Sequence, residues 1–235
     1  MSNQDQNQKA QKAELTVVYE ANGEKITLTP SIVQNFLVGD SGTITLQEFK
    51  FFTELCKARK LNPFLKEAYC IKFGSQPAQI VVGKDAILKR AIIHPDYDGM
   101  ESGVIVQVIE TGEIIERKGT FYIKSEEKLV GGWAKVYRKN WKYPTYCSVE
   151  FYEVAQTKKD GQLNSNWAGK GGTMVEKVAK VRALRETFIE DLSGMYDADE
   201  TNIPAPESPS APSEPEIIVQ AEPDEQPIDV TFDEL

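Results

Sequence analysis

The sequence predicts an α+β fold: a single domain of helices packed on an antiparallel β-sheet (a meander), with a long basic closing helix and then a disordered acidic tail. Three observations lead there. Turn signals separate short strand-like runs in the middle of the chain. Helical periodicity frames those runs on both sides without βαβ alternation. Seven of the twelve prolines fall after Asp197, interleaved with Ser, Glu and Asp. The expected divisions are a mostly disordered or extended N-terminal arm over 1–28, a folded domain over 29–196 and the tail over 197–235.

The elements follow in order. Thr29 before Pro30 marks an N-cap with proline in the first helical position, and Gly39 ends that helix. Thr45 and Glu48 form a capping box for the next helix, whose Phe49, Phe52 and Cys56 recur at helical spacing. Leu61-Asn62-Pro63 stops it. Strands are expected at 68–73 and 78–82 around a turn at Gly74–Pro77, then a helix at 85–93 closed by His94-Pro95. Further strand-like runs are 103–109, 114–123, 133–137 and 145–151. A polar stretch, 157–172, leads to a helix over 174–192, with Thr173 and Glu176 as its capping box.

In that helix Met174, Val178, Val181, Leu184, Phe188 and Leu192 define an apolar face, flanked by Lys177, Lys180 and Arg182. Arg185 points into the face. Two readings stay open: an arginine paired with a carboxylate, or one at the floor of a phosphate-lined groove where the ligand supplies the anion.

Charge separates along the chain. The net charge is −9, which on its own argues against a nucleic-acid partner. Yet all 27 Lys and Arg lie at or before Arg185, where residues 1–185 carry a net +6, while the last fifty residues carry 15 acids and no Lys or Arg. The chain is a basic body with an acidic tail. Such a Pro-rich acidic segment does not repay the entropy of ordering, and reads as a docking peptide, a solubilising tail or a competitor of polyanions for the basic body.

Several chemistries are set aside. Cys56, Cys70 and Cys147 are odd in number and lack CxxC spacing, which fits a reducing cytoplasm and argues against a disulfide framework or cysteine zinc site. One histidine makes His-dependent catalysis improbable. Gly169-Lys170-Gly171-Gly172-Thr173 lacks the Lys-Ser/Thr pair and preceding Gly of a phosphate-binding loop, so ATP is not expected. Its glycines suit close backbone approach to a polyanion. His94-Pro95-Asp96-Tyr97-Asp98-Gly99 has the content of a turn rather than a metal site. A metal-dependent nuclease built on Asp96 and Asp98 is the weakest reading. No run is apolar enough to span a membrane and no signal peptide is evident. No catalytic residue or metal ligand is assigned.

What remains is cations interleaved with rings. Trp133, Lys135, Tyr137, Arg138, Lys139, Trp141, Lys142 and Tyr143 follow one another along a strand and turn, and Trp167 with Lys170 repeats the theme. Cations neutralise phosphates without reading sequence, and rings stack on any exposed base, a combination suited to single-stranded nucleic acid. Taken singly, Trp133 reads equally as core.

At these residues the chain resembles the phage RecT/Bet family of single-strand annealing proteins, most closely its RecT branch. The matching segments are Leu61-Asn62-Pro63-Phe64-Leu65-Lys66-Glu67 with Tyr69, Val81-Val82-Gly83-Lys84-Asp85, and Tyr97-Asp98-Gly99-Met100. Tyr137-Arg138-Lys139, Trp167 and the helix 174–188 through Leu192-Ser193-Gly194-Met195-Tyr196-Asp197 complete the set. The resemblance implies ATP-independent binding and annealing of complementary strands, as rings or helical filaments, beside a 5′–3′ exonuclease and a host single-strand-binding protein. It implies no required cofactor, magnesium as a modulator of DNA binding, and a bacterial cytoplasmic setting. It places DNA in a groove between the sheet and the closing helix. The candidate DNA contacts are Lys66, Arg138, Lys139, Trp167, Lys170, Lys177, Lys180, Arg182 and Arg185. Where many relatives carry Pro and basic residues before the helix, this chain has Gly171-Gly172-Thr173. The alternative is a coat protein that covers single strands without annealing them.

Overall fold

The computed structural model describes residues 15–39, 42–72 and 75–200. Val17–Ala21 (β1) and Glu24–Leu28 (β2) form an antiparallel hairpin inside the stretch expected as an arm. Asn22 (φ 55°) and Gly23 (φ 81°) both adopt the left-handed conformation that a two-residue type I′ turn requires. Tyr19, Ala21, Ile26 and Leu28 alternate inward to the core, and the Tyr19 hydroxyl donates to the Leu61 carbonyl at 2.8 Å. Residues 1–14 lie outside the described residues.

Thr29 caps the next helix as expected, its Oγ1 accepting from the Ile32 amide at 3.2 Å. The helix does not persist to Gly39. Pro30–Ile32 (α1) runs into a π turn, Val33–Leu37, and Val38–Gly39 (β3) leaves as a strand. The Gln34 carboxamide holds the outgoing chain, donating to the Gly42 carbonyl and accepting from the Ile44 amide. Leu46–Ala58 (α2) carries the full capping box and buries Phe49, Phe52 and Cys56.

Ala68–Ile71 (β4) and Gln79–Val82 (β5) pair antiparallel, and β3 joins β4 in parallel. The expected strand over 68–73 therefore stops early; residues 73 and 74 lie outside the described residues. Lys84–Ile92 (α3) follows.

The main sheet has the order β7-β6-β8-β9, all antiparallel: Tyr97–Val108 (β6), Ile114–Lys118 (β7), Glu127–Arg138 (β8) and Thr145–Glu150 (β9). The strand β8 returns beside β6, which leaves β7 at an edge, so the sheet departs from a simple meander. Two local expectations are corrected. Tyr97-Asp98-Gly99 is the irregular start of β6, with Gly99 at φ 111°, rather than a free loop. The strand expected over 114–123 ends at Lys118, because Gly119 turns the chain at φ 73°.

Phe151–Val154 (α4) leads to Ser165–Thr187 (α5), which lies across β8 and β9. The capping box expected at Thr173 and Glu176 is not the start of this helix. Asn164 is the cap, accepting from the Trp167 amide at 3.0 Å, and the helix bends at Lys170 (φ −130°, ψ 33°) among its glycines. It also ends sooner, since Phe188 (φ −121°, ψ 51°) breaks it before Ile189–Leu192 (α6). The six apolar residues read from its spacing are all buried. The helix sits close on the sheet, and a Cβ at Gly132 would fall 2.7 Å from the Val175 carbonyl oxygen.

Beyond α6 the chain passes Gly194 (φ 76°) and lays 195–200 over the side of α5, ending in a 3-10 turn, Ala198–Glu200. The first residues expected as tail are thus packed, with Asp197, Ala198 and Asp199 all buried. Residues 201–235 lie outside the described residues. Among the described residues no helix is long and apolar enough to cross a membrane.

Candidate nucleic-acid interface

The basic candidates fall into three groups. On α5, Lys177 meets Asp197 at 2.6 Å and also Asp199. Arg185 grips Glu200 with both prongs, at 2.8 and 2.5 Å, donates to the Met195 carbonyl, and lies 4.4 Å from the Tyr196 ring centroid. Burial alone would lower the pKa of both cations, but the carboxylates more than reverse it and hold them charged. Of the two readings of Arg185, this conformation adopts the paired arginine. Lys180 bonds Glu176 at 2.9 Å, a carboxylate that also accepts from Ser102, and Arg182 lies 3.6 Å from Glu153.

The second group gathers where β8 ends. Arg138 donates to Asp96 at 3.2 Å, Glu190 at 2.5 Å and the Thr187 carbonyl at 2.9 Å, between the rings of Trp141 and Phe188. Its hydrogen bonds to the Glu190 carboxylate and then to Asp96 raise its pKa further. It ties the sheet to the end of α5. Just beyond, the β8–β9 turn projects into solvent. Asn140 (φ 66°) turns the chain, Trp141 is 51% and Tyr143 71% exposed, Lys142 lies 5.1 Å from the Tyr143 ring, and Lys139 donates to the Pro95 carbonyl at 2.6 Å.

The third group is Lys66, Lys170 and again Lys139: exposed cations that meet no carboxylate among the described residues. Lys66 closes the 3-10 turn Pro63–Leu65 at φ 60°, and Lys170 marks the bend of α5.

Trp167 departs most from expectation. It is 1% exposed, edge-on to Phe151 at 5.6 Å, and its buried Nε1 has no hydrogen-bond partner among the described residues. In this conformation the ring offers no face to a base. Gly171 likewise serves packing, since a Cβ there would lie 2.8 Å from the Phe151 ring, whereas one at Gly172 would make only ordinary contact with the Thr120 carbonyl at 3.4 Å. With Gly132 against Val175, the helix and the sheet touch directly, leaving no room there for a strand between them.

Trp133 is 2% exposed and donates to the Arg117 carbonyl at 3.1 Å, so within the aromatic-basic run the rings divide. Trp133 belongs to the core, and Trp141 and Tyr143 to the surface. Trp133 lies on the face of β8 away from Gly132, covered by Lys135 at 5.0 Å from its ring, whereas the turn at Asn140 carries Trp141 and Tyr143 out into solvent. The carboxylate partners Asp197, Asp199 and Glu200 were hidden among the acids expected to be tail.

A model of the RecT family matches residues 26–215. The chain belongs to the RecT family. No curated protein matches it. RecT-family proteins are single-strand annealing proteins of recombination, which agrees with a surface of exposed rings and cations. Within this RecT-family fold, Asp96 is engaged by Arg138, and the lone His94 faces Glu190 at 3.6 Å and Asp191 at 4.0 Å.

Proposed function

We propose that the protein binds single-stranded DNA and anneals complementary strands without ATP, using the β8–β9 tip as its base-stacking element. The observation that carries this is the exposure of Trp141 and Tyr143 beside Lys139 and Lys142. Rings stack on bases regardless of sequence, and the lysines neutralise the adjoining phosphates. Lys66 and Lys170 extend the phosphate contacts, while Lys180, Arg182 and Arg138 shape the basic edge through their carboxylate pairs. Trp167 supports α5 from within. Phosphates held on the protein leave base edges free for a second strand, and pairing supplies the specificity.

Each subunit grips few nucleotides, so annealing proceeds on a homo-oligomer, ring or filament, that raises effective concentration. The partners are single strands, the annealed duplex, a 5′–3′ exonuclease that generates the strands and a host single-strand-binding protein, in the bacterial cytoplasm. Magnesium modulates binding by competing for phosphate.

Complementary oligonucleotides labelled with fluorophore and quencher, in nucleotide-free buffer, test the reading. The protein is expected to accelerate pairing, and W141A/Y143A to weaken strand binding by about 1 kcal/mol or more per ring lost. Slower pairing on a tightly bound strand would identify a coat protein instead.

A further inference from the structure

We propose that residues 196–200 act as a built-in stand-in for DNA phosphates, seated on Lys177 and Arg185 and displaced when single-stranded DNA binds; this rests on the function proposed above. Three carboxylates, Asp197, Asp199 and Glu200, meet two cations, with 5%, 3% and 3% of their side chains exposed. The cations stand eight residues apart on α5, about 12 Å along its axis at 1.5 Å per residue. An arginine fork accepts a phosphate in the same two-pronged manner as it accepts Glu200, so exchange replaces each ionic bond by its equivalent.

The excess carboxylate makes the seated state uneasy. Two acids share one ammonium, and at Asp199 burial, together with the neighbouring Asp197, raises the pKa against the pull of Lys177. Releasing the segment sends a surplus negative charge to water, whereas a phosphate backbone brings one charge per contact. Met195 is 1% exposed and belongs to the main core, so it stays seated and the displaced part is 196–200, which has further anchors of its own. The Val82 amide donates to the Tyr196 carbonyl at 2.8 Å, Gln156 donates to the Ala198 carbonyl at 3.1 Å, and Ala198 packs against Ile71 and Val81. Past Glu200 the sequence adds nine acids and no cation, so the freed segment continues into chain that DNA repels.

Hydrogen–deuterium exchange on the full chain, with and without an oligo-dT strand, tests this. Binding is expected to speed exchange in peptides covering Val82 and residues 197–200 by about tenfold or more, because the seated segment protects those amides. Unchanged or slower exchange there, with the strand bound, would overturn the proposal and leave the DNA-binding function standing. No binding at all would overturn both. As a second measurement, D197N/D199N/E200Q is expected to bind oligo-dT about tenfold tighter at low salt. The charge-matched control E110Q/E113Q/E126Q is expected to stay near wild type. Equal tightening in both variants would reduce the effect to net charge and overturn the proposal.

Discussion

Gly132 on β8 lies directly beneath Val175 on α5, where a Cβ would stand 2.7 Å from the Val175 carbonyl oxygen and 3.0 Å from the Glu176 amide nitrogen. Both neighbours are backbone, so neither yields by changing rotamer. Gly132→Ala is expected to cost about 1–3 kcal/mol, as over-packing does. Gly169→Ala, with nothing within 4 Å, removes a flexible residue from a helix and should be neutral or stabilising by up to about 1 kcal/mol. Urea unfolding of the pair checks the contrast; equal effects would mean the helix does not rest on Gly132.

Glu48 predicts an acid-sensitive joint between α2 and β5. Lys72 donates to its carboxylate at 2.7 Å, as do the Thr45 and Ala78 amides, and these bonds pull its pKa from 4.5 to about 2. A depressed carboxylate pKa gives stability that is present above the ordinary value and lost as pH falls toward the depressed one. Urea midpoints should therefore drop between pH 4.5 and about 2 in the wild type. In Glu48→Gln that part of the slope should be missing. Parallel pH profiles would sink the assignment.

Burial pushes the Cys56 thiol up to about 12 and Cys70 to about 11, against an ordinary 9.0. Thiolate is the reactive form, so both should resist iodoacetamide at pH 8 in the folded protein and react on addition of urea. Cys147, half-buried on β9 and raised less, should label first. Mass spectrometry of timed quenches reports the order, and prompt native labelling of Cys56 would contradict it.

Salt dependence separates phosphate contacts from packing. If Lys139 and Lys142 each hold one phosphate, replacing either by alanine should flatten the plot of log affinity against log salt by about 0.7. Arg138→Ala should behave differently, lowering the melting temperature through loss of its bonds to Asp96, Glu190 and the Thr187 carbonyl. A lysine at 138 cannot restore three such bonds between two rings. Wild-type melting of Arg138→Ala would refute this bridging role.

Much of the frame was legible because local rules governed it. Thr45 with Glu48, and Thr29 before Pro30, encode their caps within a few residues, and the apolar ladder from Met174 to Leu192 needs only helical spacing. Asn22-Gly23 carried an equally local signal, left unused by the expectation of an arm. Long-range chemistry was less visible. A helical tract containing Gly169, Gly171 and Gly172 contradicts propensity, and only the Phe151 ring against Gly171 explains it. The partners of Lys177 and Arg185 lie a dozen or more residues downstream, across a helix break at Phe188 that spacing does not announce. Trp167 and Trp141 look alike in sequence, and only the tertiary fold sends one inward and the other to water.

That last division gives the molecule its own optical reporter. Its three indoles occupy three media: Trp133 bonded to a carbonyl in the interior, Trp167 in the interior with its Nε1 unbonded among the described residues, and Trp141 half in water. Emission from the buried pair should lie to the blue and escape acrylamide, while Trp141 emits to the red and is quenched. If a strand binds the β8–β9 tip as proposed, it should change the Trp141 emission, without a label and apart from any signal of the core.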